Sequence, residues 1–248
     1  MAYNPDRYKE LLVLRQHNTS TLIRLGILTL PLAGLLTLVG LLGRYDTPNA
    51  RVAPKVAAQA ASSTSFFVSQ LVGNVLGLTL LLFGILALTA YLAETPGKRW
   101  ALAAMILSIA GIAPIMSALG VTTYALPVLG RAYLSGRQDT LLIVDTIFGN
   151  RLISIFLVAF LLYAAGFVLF GVAIWRSSVL PKGAAISLGL HTPLFASFIR
   201  SQPSLLTIVG SLLFILGGAL VALTVFRRPS TGEAGTEPRP TTVERHNS

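Results

Sequence analysis

The chain has 248 residues, of which 54% are hydrophobic and only 11% charged, with a formal net charge of +10 and no cysteine. Charged residues make up about a quarter of a soluble globular domain, so this is the composition of a membrane protein, and the lack of cysteine removes disulfides, thiolate metal sites and cysteine nucleophiles. The positive charge does not point to nucleic acid, because the nineteen Lys and Arg sit at the edges of long apolar runs and form no dense basic stripe.

Residues 1–21 carry Tyr8, Leu11 and Leu12 at helical spacing among Arg7, Lys9 and Arg15, which fits either an interfacial cytoplasmic helix or a frayed basic tail. They do not read as a cleavable signal: the positive start is long, and the apolar run behind it fills a whole span with no small-residue cleavage pattern. Crossing a bilayer core of about 30 Å takes about 20 helical residues. Runs of that length stand at 22–43, 67–92, 100–121, 147–173 and 204–225. Pro31 interrupts the first and Pro114 the third. In the second, Gly73 and Gly77 form a G-x-x-x-G step that Gly84 continues one heptad on, a face that another helix can approach closely.

The segment after the third span, TTYALPVLGRAYLSGRQDTLLIVDTIFGN (122–150), carries Tyr124, Tyr133 and many aliphatics, the pattern of a loop lying on the outer interface. A polar constellation stands at the outer ends of the second and fourth spans, with Gln70 and Asn74 on one and Asp145, Asn150 and Arg151 on the other. Asp145 and Arg151 are six residues apart, too far for a direct i,i+4 pair on one helix. They need other partners or a bend between them. Anchoring of the helix ends and a ligand-facing vestibule both fit this cluster.

The fourth span runs into WRSSVLPKGAAISLGLHTPLF (175–195). Trp175 and Arg176 suit the headgroup level, Pro181 fixes φ and offers no donor to a continuing helix, and Lys182 can snorkel to the inner headgroups. A cytoplasmic hairpin turn is expected here, followed by a shorter sixth span at 183–199. With that span in place, twelve of the nineteen basic residues share a side with both termini and seven lie opposite, so the richer side is expected to be cytoplasmic. Without it, Arg227 and Arg228 would end the last helix on the outer side, against the same rule.

His191, nine residues after Lys182, then lies about 13 Å deeper at 1.5 Å per residue. A polar side chain at that depth needs a partner. Either it makes a hydrogen bond across helices, helped by Thr192, or it contacts a proton or a substrate. A haem held by two histidines would require a second one in a span, whereas His17 and His246 lie in the terminal segments.

The run GVAIWRSSVLPKGAAISLGL (171–190) resembles a turn that recurs in bacterial six-span integral membrane proteins of the domain-of-unknown-function type. The resemblance implies a small bacterial multi-pass protein and no particular activity; many such turns have an aromatic where Gly183 stands here. The same turn also echoes AETPGKRWALAAMILSIAGIAP (93–114), with a proline-basic turn, an Ala-Ala pair and a proline deep in the next helix. The registers of such a repeat disagree, since Pro96 and Pro114 are eighteen residues apart while Pro181 and Pro193 are twelve apart.

All nine acidic residues lie outside the central part of any span, so proton coupling through a buried carboxylate has no carrier and an intramembrane aspartyl protease has no pair. There is no H-E-x-x-H, G-x-S-x-G or Walker loop. The expectation is an all-α polytopic bundle of six transmembrane helices over 22–226, with a disordered polar tail at 227–248 and both termini on the cytoplasmic face of the cell membrane. No enzyme activity, cofactor or metal is expected. Two functions fit. Small-residue faces favour a component that packs against copies of itself or a membrane partner. Prolines 31, 114 and 193, each inside a span, favour a small transporter or exporter of an apolar or zwitterionic molecule, because a broken helix frees backbone groups for a ligand.

Overall fold

Apolar surroundings leave the backbone little choice: with no water to bond, every N–H and C=O has to be paired within its own segment, which the α-helix achieves. The computed structural model describes residues 5–43, 53–147, 149–195 and 205–227, and the side chains of these except 5–19, 150, 151 and 195. They form α1 (Pro5–Leu42), α2 (Pro54–Ala61), α3 (Thr64–Gln70), a π-helical stretch (Leu71–Leu76), α4 (Gly77–Leu92), α5 (Lys98–Leu134), α6 (Thr140–Ile147), α7 (Asn150–Ser177), α8 (Lys182–Phe195) and α9 (Leu205–Arg227). No strand occurs among the described residues. Among the described residues five stretches can cross a membrane by length and composition, Ser20–Leu42, Thr64–Leu92, Lys98–Leu134, Thr140–Ser177 and Leu205–Arg227, as in a multi-pass membrane protein.

The five stretches long enough to cross are apolar all round, as helices between protein and lipid must be. On α1, Leu22, Leu25, Leu28, Leu32, Leu35 and Val39 are exposed, while Ile27, Leu30, Ala33 and Leu41 on the other face are buried. With lipid outside, helix association rests on close packing, and glycines set the approach. A Cβ on Gly73 would lie 2.3 Å from the Cα of Gly40, one on Gly84 would lie 2.5 Å from Leu30 Cδ2, and one on Gly26 would lie 2.5 Å from Ala87 Cβ. These pairs run in opposite directions along the two chains, so α1 and α4 are antiparallel. Gly77 faces Thr37 and Leu36 of the same helix. On its other side α1 meets α9, where a Cβ on Gly218 would lie 2.9 Å from the nitrogen of Pro31.

Helix α5 continues for 37 residues, through Pro114 and Pro127, well past the predicted span 100–121. At 1.5 Å per residue it is about 55 Å long. Tyr124 and Tyr133 therefore stand within a helix and not in an interfacial loop. Each proline removes one backbone bond, a loss that neighbours in a membrane bundle can make good, and the apolar residues after Val121 continue the helical surface. Helix α2, with Ala57, Ala58 and Ala61 buried, packs on this extension, and a Cβ on Gly130 would lie 2.7 Å from the Ala58 carbonyl oxygen.

The 178–181 turn closes as its residues suggest. Ser178 caps α7 in the left-handed region at φ 56°, and α8 folds back along α7, where a Cβ on Gly171 would lie 2.8 Å from the Ala185 oxygen. Two cation–π contacts brace this end: Arg176 lies 5.2 Å from the Trp100 ring and Lys182 lies 4.9 Å from that of Trp175. Helix α8 has 14 residues, and α9 packs antiparallel to it, with Gly217 against Leu188 and Gly183 near Leu220. The rest of the segment 183–199 and the tail 228–248 lie outside the described residues, as do the side chains of Tyr8, Leu11 and Leu12, whose residues belong to the continuous helix α1.

Candidate functional site

His191 is buried at the centre of the bundle, on the face of α8 turned to α7 and α9. Its Nδ1 lies 2.6 Å from the Leu188 carbonyl oxygen. A carbonyl can only accept, so Nδ1 carries the proton, and in the neutral ring Nε2 is left as an acceptor. The Tyr163 hydroxyl of α7 lies 3.4 Å from Nε2, a long bond across the helix interface, and Thr192 Oγ1 lies 3.2 Å from the same atom. Phe167 stands edge-on to the imidazole at 4.7 Å between ring centroids, and Phe214 of α9 lies 4.8 Å away.

The aromatic wall has a simple origin. Phe156, Phe160, Tyr163, Phe167 and Phe170 recur every three or four residues along α7, which places them on one face. Phe160, Tyr163, Phe167 and Phe170 contact one another in series, with centroid separations of 4.9 to 6.0 Å. That stripe, readable in the sequence as a 3-4 spacing, supplies the partner of His191; its aromatics were not singled out because such stripes generally mark plain core.

Above this wall lies a cavity of about 90 Å³. It is bounded by Gly34, Thr37 and Leu41 of α1, by Gly73, Asn74, Leu78 and Leu81 of the π-helical stretch and α4, and by Ile112, Ile115 and Leu119 of α5. Phe156, Phe160 and Tyr163 of α7, His191 of α8 and Ser211 and Phe214 of α9 complete it. Among the described residues the lining holds no Asp, Glu, Lys or Arg. One extra residue per turn in the π-helical stretch Leu71–Leu76 sits where the cavity meets the second span, and such insertions frequently accompany functional sites.

The cavity brings together two members of the predicted polar set, Asn74 and His191, from helices far apart in sequence. Gln70 is fully buried one turn before Asn74, and its Oε1 accepts a bond from Asn74 Nδ2. Asp145 is exposed on α6 and does not line the cavity, and the side chains of Asn150 and Arg151 lie outside the described residues. Of the predicted helix breaks, Pro31 lies against Gly218, Pro114 follows Ile112 and precedes Ile115 in the cavity wall, and Pro193 is exposed. Gly73 both touches Gly40 and lines the cavity, whereas Gly77 and Gly84 serve the contact with α1. Thr37 and Ser211 join the site as polar residues that nothing in the sequence marks out, since lone hydroxyls in apolar helices usually bond their own backbone.

Among the described residues no group of three His, Asp or Glu gathers to hold a metal ion. The chain matches no protein-family model, no curated protein and no solved structure.

Proposed function

We propose that this protein is a six-span component of the bacterial cytoplasmic membrane, without enzymatic activity, that binds a small apolar molecule in its central cavity and carries it within or across the bilayer. The observation that carries this reading is the cavity itself. Protein interiors are packed to few voids larger than a water molecule, and a pocket of about 90 Å³ walled by six helices far exceeds the 10–15 Å³ that one water needs. Its walls are aromatic and aliphatic with a few convergent polar groups, the usual make-up of a small-molecule site. The competing reading, a component that packs against a partner through its small-residue faces, loses support because Gly73, Gly77 and Gly84 are already covered by α1 of the same chain.

The six-span reading draws on the antiparallel packing of α8 between α7 and α9. Fourteen helical residues advance the chain about 21 Å, most of the way across a core of about 30 Å. The twelve-to-seven division of basic residues then sets both termini on the cytoplasmic side. A ligand with full charges is disfavoured by the uncharged lining, so the apolar class is retained and the zwitterionic one set aside.

Binding of fluorobenzene to the full chain in lipid nanodiscs, followed by 19F NMR, tests the proposal. Saturable binding that unlabelled benzene displaces, and that the cavity-filling Ile115→Phe removes while the protein stays folded, is expected. Identical non-saturable partitioning with wild type and Ile115→Phe would refute it.

A further inference from the structure

The two hydroxyls of Thr37 and Ser211 and the imidazole of His191, all facing the cavity, share a property: their protons are committed to backbone carbonyls. A Ser or Thr hydroxyl has one proton and two lone pairs. The Thr37 hydroxyl donates to the Ala33 carbonyl at 2.8 Å, and that of Ser211 donates to Thr207 at 3.0 Å. His191 spends its only proton on Leu188 at 2.6 Å, which fixes Nε2 as a lone pair. The single lone pair of Nε2 is shared between the Tyr163 hydroxyl at 3.4 Å and Thr192 Oγ1 at 3.2 Å. Asn74 gives one of its N–H groups to Gln70. What Thr37 and Ser211 can turn inward is therefore oxygen lone pairs, beside one remaining N–H of Asn74.

Resting on the cavity reading above, we propose that the site selects a neutral, hydrogen-donating molecule no larger than a single ring, a phenol-type or small apolar alcohol. Three observations converge on that class. The lone pairs of Thr37 and Ser211 call for a donor, because a ligand that only accepts can meet just the one remaining N–H of Asn74 and leaves those lone pairs unmatched. The walls of Phe156, Phe160 and Phe214 suit an apolar ring stacked or edge-on. The volume of about 90 Å³ is smaller than the roughly 150 Å³ cavity that admits benzene in an engineered protein, which limits the occupant to one ring or less. A cation would also meet acceptors and aromatic faces, but desolvating a full charge with no carboxylate among the described lining residues costs far more than a buried cation–π contact returns.

Four fluorinated probes of nearly equal size separate the alternatives in the nanodisc assay: 4-fluorophenol, which donates; fluorobenzene, which does neither; 3-fluoropyridine, which only accepts; and N-methyl-3-fluoropyridinium, which is cationic. The expected order is 4-fluorophenol tightest, at least about five-fold tighter than 3-fluoropyridine, which matches a loss of about 1 kcal/mol for one unmade bond. The cation should show no saturable binding. Ser211→Ala and Thr37→Val should each weaken 4-fluorophenol about three- to ten-fold and leave fluorobenzene within two-fold, a pattern that unfolding would not produce. If fluorobenzene binds saturably but 3-fluoropyridine equals or exceeds 4-fluorophenol, or the cation binds tightest, the donor assignment is overturned while the cavity reading stands. If neither fluorobenzene nor 4-fluorophenol binds saturably, both fall together.

Discussion

At the scale of single residues, the contact of Tyr163 with His191 is a side-chain hydrogen bond between α7 and α8. Hydrogen bonds between membrane helices contribute about 0.6 kcal/mol on average, and this one is long at 3.4 Å. Tyr163→Phe should therefore cost about 0.5 kcal/mol in reversible unfolding from mixed micelles. His191→Leu should cost about 1 kcal/mol or more, since it also abandons the Leu188 carbonyl, while His191→Gln keeps a donor and an acceptor and stays closer to wild type. In the double-mutant cycle, Tyr163→Phe should cost nothing further once His191 is Leu; full additivity would show that the two side chains do not interact. The need of His191 for a partner was legible from its depth alone, because a buried imidazole in an apolar helix has to bond to something. The partner was not, because a tyrosine 28 residues upstream is brought opposite by the α7–α8 hairpin, and pairing between helices is a property of packing and not of local sequence.

At the scale of elements, the glycine steps and the long α5 show what patterns can and cannot reveal. The Gly73, Gly77 and Gly84 face reads directly from spacing, but its occupant, α1 with Gly40 at the closest point, does not. Gly73→Ala should destabilise by about 1 to 3 kcal/mol, because its new methyl meets backbone and cannot be relieved by a rotamer change. Gly120→Ala is the matched control: a Cβ there meets nothing within 4 Å, and the change should be neutral or stabilising by up to about 1 kcal/mol through helix propensity. Equal unfolding energies for the two variants would contradict the packing described. The extension of α5 to Leu134 was hidden because Pro127, Gly130 and the tyrosines mimic loop composition. In the folded chain α2 packs against this extension at Gly130.

At the scale of the whole molecule, the all-α bundle was plain from apolar run lengths, whereas the central cavity could not be foreseen, since six separate helices each contribute part of its wall. The topology is open to a direct check because the chain has no cysteine of its own. A cysteine replacing Ser178 should label only from the cytoplasm and one replacing Ser201 only from outside in intact cells; labelling of both from one side would remove the sixth span. The most direct measurement for the central claim is xenon pressurisation of crystals of the full chain, since xenon enters apolar cavities and scatters strongly. The account predicts a xenon atom enclosed by Asn74, Tyr163, His191 and Phe214 in the wild type and none there in Ile115→Phe. A wild-type crystal with xenon only at lipid-facing grooves, and with the cavity walls closed on each other, would contradict it.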